Sequence, residues 1–460
     1  MNMIQQSMRL CLWLIAALAV GLPGMAAGAA GDQANQDVIK IVIDALKSND
    51  PQMQTGVMGI VRNMPGPEVT KALVQELPKL PAAGQVQLLS ALGDRGDATA
   101  LPAVIEAGKS QDESVRVAAL RAVGQLGSVV DVPLLAERAA ATKGAEQKAA
   151  REGLYRLRGP EVDAAILKSL PSASAAIKAE LIDAIGERNI AGAVETLLKT
   201  GKDEDRKVRL ESFRVLKIVA KPEDMPALVN LLLETKNEPD RGEAEKMVAA
   251  VAHKVEDKAR QSAAVQAVLP NVKDVPDRAS LLRVLGRIGD TSSLPTLRTA
   301  LVSRDAEIQD AAIRALSDWP TAEPVPDLLK VAQTSTNQVH KVLALRGFVR
   351  LLGLESDRPA EQTIDLYKKA MDLAGDATEK KRVLSGLAST KSLAALDMAA
   401  GYLDDLALHL EAESAAVRIA PAVVAANPQR VKEVLQKVIQ GTKNDAIREQ
   451  AQQIVSQIKP

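Results

Sequence analysis

The segment Leu92-Gly93-Asp94-Arg95-Gly96-Asp97-Ala98-Thr99-Ala100-Leu101-Pro102 returns as Leu285-Gly286-Arg287-Ile288-Gly289-Asp290-Thr291-Ser292-Ser293-Leu294-Pro295, with six of eleven positions identical. Repetition at this scale restricts the chain to architectures in which one small unit stacks on its own copies. Diluted copies follow the same plan, as in Leu126-Gly127 leading to Val132-Pro133. Pro102, Pro133, Pro226, Pro295 and Pro326 keep a common register, with gaps of 31, 93, 69 and 31 residues. Proline is tolerated in the first turn of a helix, where the missing N–H has no intrahelical acceptor to lose.

Between these marks the apolar residues recur at helical spacing. Val38, Ile39, Ile41, Val42, Ala45 and Leu46 form one stripe, and Ser48-Asn49-Asp50-Pro51 supplies stop, cap and restart signals. No segment alternates as a strand would. The pattern predicts an all-α chain of about thirteen helix pairs, roughly 32 residues each, over residues 37–460. Second helices open on an acid followed by a β-branched residue and a cation, as in Asp112-Glu113-Ser114-Val115-Arg116 and Asp445-Ala446-Ile447-Arg448. The spacing predicts that Arg116 and Arg209 reach back four residues to Asp112 and Asp205. Gly93, Gly127, Gly186 and Gly289 are expected to end helices in the left-handed conformation. Asp97 and Asp290 are expected to hold the turns between pairs, and residues 236–242 to form a longer loop.

The combination of Leu-Gly-x-x-Gly-Asp-x-x-x-Leu-Pro between pairs with Asp-x-x-Val-Arg-x-x-Ala opening the second helix resembles HEAT repeats, in the short bacterial form also called phycobilisome-lyase HEAT-like repeats. The resemblance is strongest over residues 92–220 and 280–350 and weaker at 236–280, 355–410 and in the first two pairs. It implies a right-handed α-solenoid whose second helices line the concave side and bind other proteins. One hairpin cannot bury its own apolar stripe, so neighbours must stack into a continuous core.

Apolar residues make up 47% of the chain but aromatic ones only 2%, so Ala, Leu and Val must build that core. Lysine plus arginine equals aspartate plus glutamate at 58 each, which argues against nucleic acid as a partner. Residues 1–30 stand apart. Arg9 precedes a continuously apolar run at 10–20, Gly21-Leu22-Pro23-Gly24 breaks it, and Ala27-Gly28-Ala29 offers a small-x-small cleavage site. The run is shorter than the roughly 20 residues that span a bilayer, so it reads as a signal peptide for export to the periplasm or beyond the cell, leaving no membrane attachment after cleavage. The single cysteine, Cys11, lies within that run, so the exported chain is expected to hold no disulfide and no thiolate metal site. Residues 31–36 read as a polar tether.

Reactive constellations are scarce. His253, His340 and His409 are scattered, none is followed by glutamate, and His253 and His340 adjoin lysine, which marks them as solvated groups. There is neither a nucleophile elbow nor a glycine-rich phosphate loop. No catalytic residue, cofactor or metal is therefore expected. Phe213 and Phe348 read as core, and Trp319, in a turn, either caps the core or meets a partner. One regularity carries functional weight. Arg121, Arg214, Arg283, Arg314 and Arg346 each follow a large apolar residue, at separations of 93, 69, 31 and 32. They form either a stripe of forked donors for an acidic protein or peptide, or a ladder of internal ion pairs. The expected function is a non-catalytic exported scaffold for protein–protein interaction. An accessory module of a secreted carbohydrate-degrading system is the alternative. A lyase or hydroxylase would require a covalent ligand or a metal.

Overall fold

The computed structural model describes residues 29–48 and 50–458, so the expected signal peptide falls almost wholly outside the described residues. Twenty-six α-helices and no strand occur among them. They pair as thirteen hairpins, the number that the periodicity predicts, and contacts divide the chain into two compact units.

The unit ending at Arg188 holds five pairs: α1 (Ala29–Lys47) with α2 (Pro51–Asn63), α3 (Pro67–Glu76) with α4 (Ala82–Arg95), α5 (Leu101–Ala107) with α6 (Glu113–Leu126), α7 (Val132–Ala141) with α8 (Gly144–Arg156), and α9 (Val162–Ser169) with α10 (Ala175–Arg188). The unit opening at Asn189 holds eight. Its first four are α11 (Val194–Thr200) with α12 (Arg206–Val219), α13 (Met225–Glu234) with α14 (Glu238–Ala252), α15 (Ala263–Val268) with α16 (Val275–Ile288), and α17 (Leu294–Leu301) with α18 (Ala306–Ser317). The other four are α19 (Val325–Thr334) with α20 (Gln338–Leu352), α21 (Ala360–Leu373) with α22 (Ala377–Leu387), α23 (Leu393–Ala400) with α24 (His409–Val423), and α25 (Pro428–Gly441) with α26 (Asp445–Gln457).

The register prolines sit in the first turns of α5, α7, α13, α17 and α19, as the lost N–H requires. Asp112, Asp205, Asp305, Asn337 and Asp376 cap the second helices α6, α12, α18, α20 and α22 with side-chain oxygens. Within each unit, successive second helices pack directly on one another, and the core runs between them and the first helices.

Four sequence expectations change. Residues 31–36 are the first part of α1, not a tether. Alanine and glutamine are adequate helix formers and nothing in that stretch breaks a helix already anchored by buried Val42 and Leu46. Residues 236–242 are helix-opening rather than loop, because Asn237 caps α14 through the amide of Asp240 and Pro239 takes a first-turn position. His340 is buried on α20, not solvated; its lysine neighbour, one residue on, points elsewhere on the helix. Of the four glycines, only Gly289 is a left-handed cap, at φ 69°. Gly127 ends α6 in extended backbone, while Gly93 and Gly186 lie buried inside α4 and α10, and the left-handed cap of α4 is Gly96. A Cβ on Gly93 would come 3.3 Å from the Cα of Ala122 on α6, so its role is close helix approach.

Candidate interaction surface

The repeated segment with which the sequence announces itself is structural. Asp97 accepts from the Thr99 amide and hydroxyl, and from the Thr70 hydroxyl of α3 at 2.6 Å. Asp290 does the same with Ser292 and reaches Ser262, at the start of α15, through both amide and hydroxyl. Each aspartate thus holds its own turn, as expected, and ties it to the preceding first helix. Bonds from Thr70 and Thr99 hold the Asp97 carboxyl below its usual range. Burial alone would lift that of Asp290, and the bonds from Ser262 and Ser292 outweigh it and lower it.

Two further ladders join second helix to second helix. In the first, an arginine reaches a carboxylate near the start of the next second helix. Arg116 meets Glu146, Arg151 meets Glu180, Arg209 meets Asp240, Arg241 meets Asp277, and Arg346 meets Glu379. The acids are buried, Asp240 and Glu180 almost completely. Arg116 and Arg209 therefore do not pair back to Asp112 and Asp205, whose oxygens are engaged as helix caps. Both arginines instead bond the two carbonyls before their own caps. In the second ladder a cation near the end of a second helix caps the carbonyl end of the preceding one. Arg95 bonds Val61 and Met64, Arg188 bonds Leu154, Tyr155 and Leu157, Lys254 bonds Ile218 and Ala220, and Arg350 bonds Ser317 and Trp319.

The five arginines singled out from the sequence all lie on second helices and all meet carboxylates. Arg121 bonds Glu152 of α8 at 3.2 Å, Arg283 bonds Glu245 of α14 at 2.8 Å, and Arg346 bonds Glu379 of α22. Arg214 and Arg314 bond Glu211 and Asp310 on their own helices. Most keep an exposed edge, and two of them line grooves. Arg121 borders a groove of about 410 Å³ with Val86, Glu113, Val117 and Ala145. Arg214 borders one of about 580 Å³ along α12, with Arg206, Lys207, Leu210, Glu211 and Lys217, closed on one side by Glu243 of α14. Four cations line it beside Glu211 and Glu243, and one of them, Arg206, is bonded to buried Asp240. Sequence reading missed Arg206, Lys207 and Lys217, although their spacing at 206, 207, 210, 214 and 217 traces one helix face.

Two further grooves lie between α23 and its neighbours, one of about 590 Å³ lined by Ile364, Lys368, Asp397 and Tyr402 and one of about 250 Å³ where Arg430 and Lys437 meet Asp397 and Glu433. No group of three or more histidines, cysteines, aspartates or glutamates suited to a metal occurs among the described residues, and no described helix is long and apolar enough to cross a membrane. Trp319, Tyr367, Phe213 and Phe348 are wholly buried, so Trp319 is core and these rings form no platform for sugars.

With helix pairs, capped turns and second-helix ladders in place, the family comparison is decisive. A family model described as HEAT repeats matches residues 70–154, 164–249 and 252–346. The chain belongs to the HEAT-repeat family. Its HEAT solenoid resembles those of karyopherins. Kap121p bound to the extreme C-terminus of the protein phosphatase Cdc14p aligns at TM-score 0.54 and 14% identity, over 92% of this chain and 53% of that one. Kap121p bound to the SUMO protease Ulp1p, and Kap121p bound to Ste12p, each align at 0.53 and 14% with the same coverage. The chain spans about half the length of these structures, and at such identity what the HEAT repeats share with them is the fold. No curated protein matches the chain.

Proposed function

We propose that this chain is an exported, non-catalytic HEAT scaffold whose second helices hold an acidic segment of a partner protein. The observation that carries the reading is the groove along α12, where Lys207, Arg214 and Lys217 outnumber Glu211 and Glu243 and Arg206, bonded to buried Asp240, still shows an exposed edge, in a chain of zero net charge. A row of forked and flexible cations on a rigid helix gives an acidic chain both steering and register. Arg121 adds one partly exposed guanidinium to a groove of the other unit, beside Glu113. Kap121p, of the same fold, has been solved with several bound proteins, which supports a binding role for stacked helices of this kind. Export rests on the apolar run and small-residue site in residues 1–30.

The test is a variant carrying Lys207→Gln, Arg214→Gln and Lys217→Gln, which leaves Arg206 on buried Asp240. Proteins crosslinked to the native chain in the periplasm are expected to be acidic at the contact and to disappear with the variant, while its helix content and melting stay close to native. Retention of the same crosslinks by the variant would overturn the reading. N-terminal sequencing of the exported protein checks the other half, with a start close to residue 30 expected and an intact Met1 refuting cleavage.

A further inference from the structure

Where α20, α21 and α22 meet, two hydrogen-bond donors lack an acceptor. Arg358 lies at the end of the turn from α20 to α21, and its Nη1 is sealed from solvent without a hydrogen bond among the described residues. Tyr367, two turns into α21, is wholly buried, and its hydroxyl is sealed and unbonded in the same way. A buried donor without an acceptor carries the full cost of its desolvation, so two side by side mark a place where an acceptor belongs. Every other arginine among the described residues either meets an acceptor or lies open to water. Burial pulls the Arg358 guanidinium below the usual arginine range, and the one titratable group that opposes the shift is Tyr367. Glu355 and Asp357, exposed on the same turn, form no ion pair with it.

The surroundings add a third donor and a way in. The hydroxyls of Ser389 and Thr390, just beyond α22, lie beside the phenol without bonding it. Ser389 gives its proton to the carbonyl of Gly386 at 2.7 Å, which leaves Thr390 as the donor. A Cβ on Gly353, the first residue of the turn, would lie 2.9 Å from Ser389 Oγ and 3.8 Å from the Tyr367 hydroxyl oxygen, so these groups gather around one exposed glycine. Ser389 is exposed as well, and Arg358 and Thr390 are only half-buried, so the cluster opens to the surface along the turn. Burial holds the Tyr367 phenol above its usual range, which keeps it protonated and a donor.

We infer that Arg358, Tyr367 and Thr390 form a binding site for a single carboxylate, which supplies the acceptor that the guanidinium and the phenol lack. One forked cation matches the charge and the two oxygens of a carboxylate, whereas a phosphate dianion would bring an uncompensated charge into a half-buried place. The carboxylate belongs to a small molecule or to an acidic residue of a partner. Its site is built on elements other than α12 and depends on none of the cations of that groove.

The probes are acetate, inorganic phosphate, and a blocked three-residue peptide with a central glutamate beside its glutamine counterpart, each titrated with the full chain and followed by ligand-observed NMR. Acetate and the glutamate peptide are expected to bind saturably, phosphate more weakly, and the glutamine peptide not at all. Arg358→Gln should weaken acetate binding at least about tenfold and Tyr367→Phe about fivefold. Both variants should melt at or above the native temperature in carboxylate-free buffer, since neither side chain gives up a hydrogen bond there. Thr390→Val, on the half-buried rim, is the variant least able to disturb the fold, and it too should weaken acetate by about fivefold. Tighter binding of the glutamate peptide than of acetate assigns the carboxylate to a partner protein and equal binding assigns it to a small molecule, and either supports the site. Binding of neither, tighter binding of phosphate, equal binding of the two peptides, acetate binding that survives Arg358→Gln, or a lowered melting temperature for Tyr367→Phe would each overturn it. The α12 variant leaves these residues untouched, so failure here is distinguishable from failure of the scaffold reading.

Discussion

Arg151 and Arg121 are both paired arginines on second helices, yet they stand on opposite sides of an energetic divide. Glu180, the partner of Arg151, is 1% exposed and takes two bonds from it, at 2.5 and 2.9 Å. Removing the arginine takes its countercharge from a buried carboxylate, so Arg151→Ala should lower unfolding free energy by about 3 kcal/mol. Arg121 meets Glu152 with half of its side chain in water, and Arg121→Ala should cost less than about 1 kcal/mol. Urea unfolding of the two variants measures the order, and a reversed order would refute the burial argument. Asp290→Ala removes a turn cap and leaves buried Ser262 without its acceptor, for an expected loss of about 2 kcal/mol by the same measurement. Asp290 was readable in advance because the whole turn recurs at Asp97 with the same neighbours. The partners of Arg116 and Arg209 were not, since Glu146 and Asp240 lie some thirty residues downstream and a nearer acid was available at helical spacing. The arginines of the α12 groove were half legible: Arg214 announced itself through the repeat, whereas Arg206, Lys207 and Lys217 emerge only when α12 is seen to present one face to a groove.

Second helices are held together as much by missing side chains as by charges. A Cβ on Gly124 of α6 would lie 2.3 Å from the Cα of Gly153 on α8, a backbone contact that cannot relax through a rotamer change. Gly124→Ala should therefore destabilise by about 1–3 kcal/mol. Gly56 of α2 is the control, because nothing lies within 4 Å of the added atom. Gly56→Ala should stabilise by roughly 0.5–1 kcal/mol through helix propensity alone. Opposite signs in thermal melts are the expected result, and a stabilised Gly124→Ala would show that α6 and α8 are not in backbone contact. The helices themselves were legible because capping residues and register prolines are local signals. What the glycines do was not, since a glycine that ends a helix and one that admits a neighbouring helix look alike in the chain. The same holds for Arg95, Arg188, Lys254 and Arg350. Their acceptors are main-chain carbonyls of the preceding second helix, and a carbonyl leaves no mark on a sequence.

For the whole molecule, equal numbers of acids and bases mean that stability against pH is set by which groups the fold shifts, not by net charge. Asp97, Asp112 and Asp290 all sit below the usual carboxylate range through hydrogen bonds to their turns, with burial opposing the bonds most strongly at Asp290. Their folded values lie below their unfolded values, so their contribution is present above about pH 4 and is lost as pH falls through the folded values. The alkaline side rests on the three tyrosines, Tyr155, Tyr367 and Tyr402, each raised chiefly by burial, and Tyr155 further by its bond to Asp183. Here the fold holds the proton, so the contribution is complete below the unfolded value of about 10 and is lost as pH climbs beyond it. Phenolate absorbance and helical circular dichroism followed together against rising pH are therefore expected to change in concert, each tyrosine ionising only as its repeat opens. Tyr155→Phe should remove the part of that alkaline loss that belongs to the Asp183 bond and leave the acid limb unchanged. Tyrosines that ionise with an ordinary midpoint near 10 while the helices remain intact would contradict the packing of α8, α21 and the turn after α23.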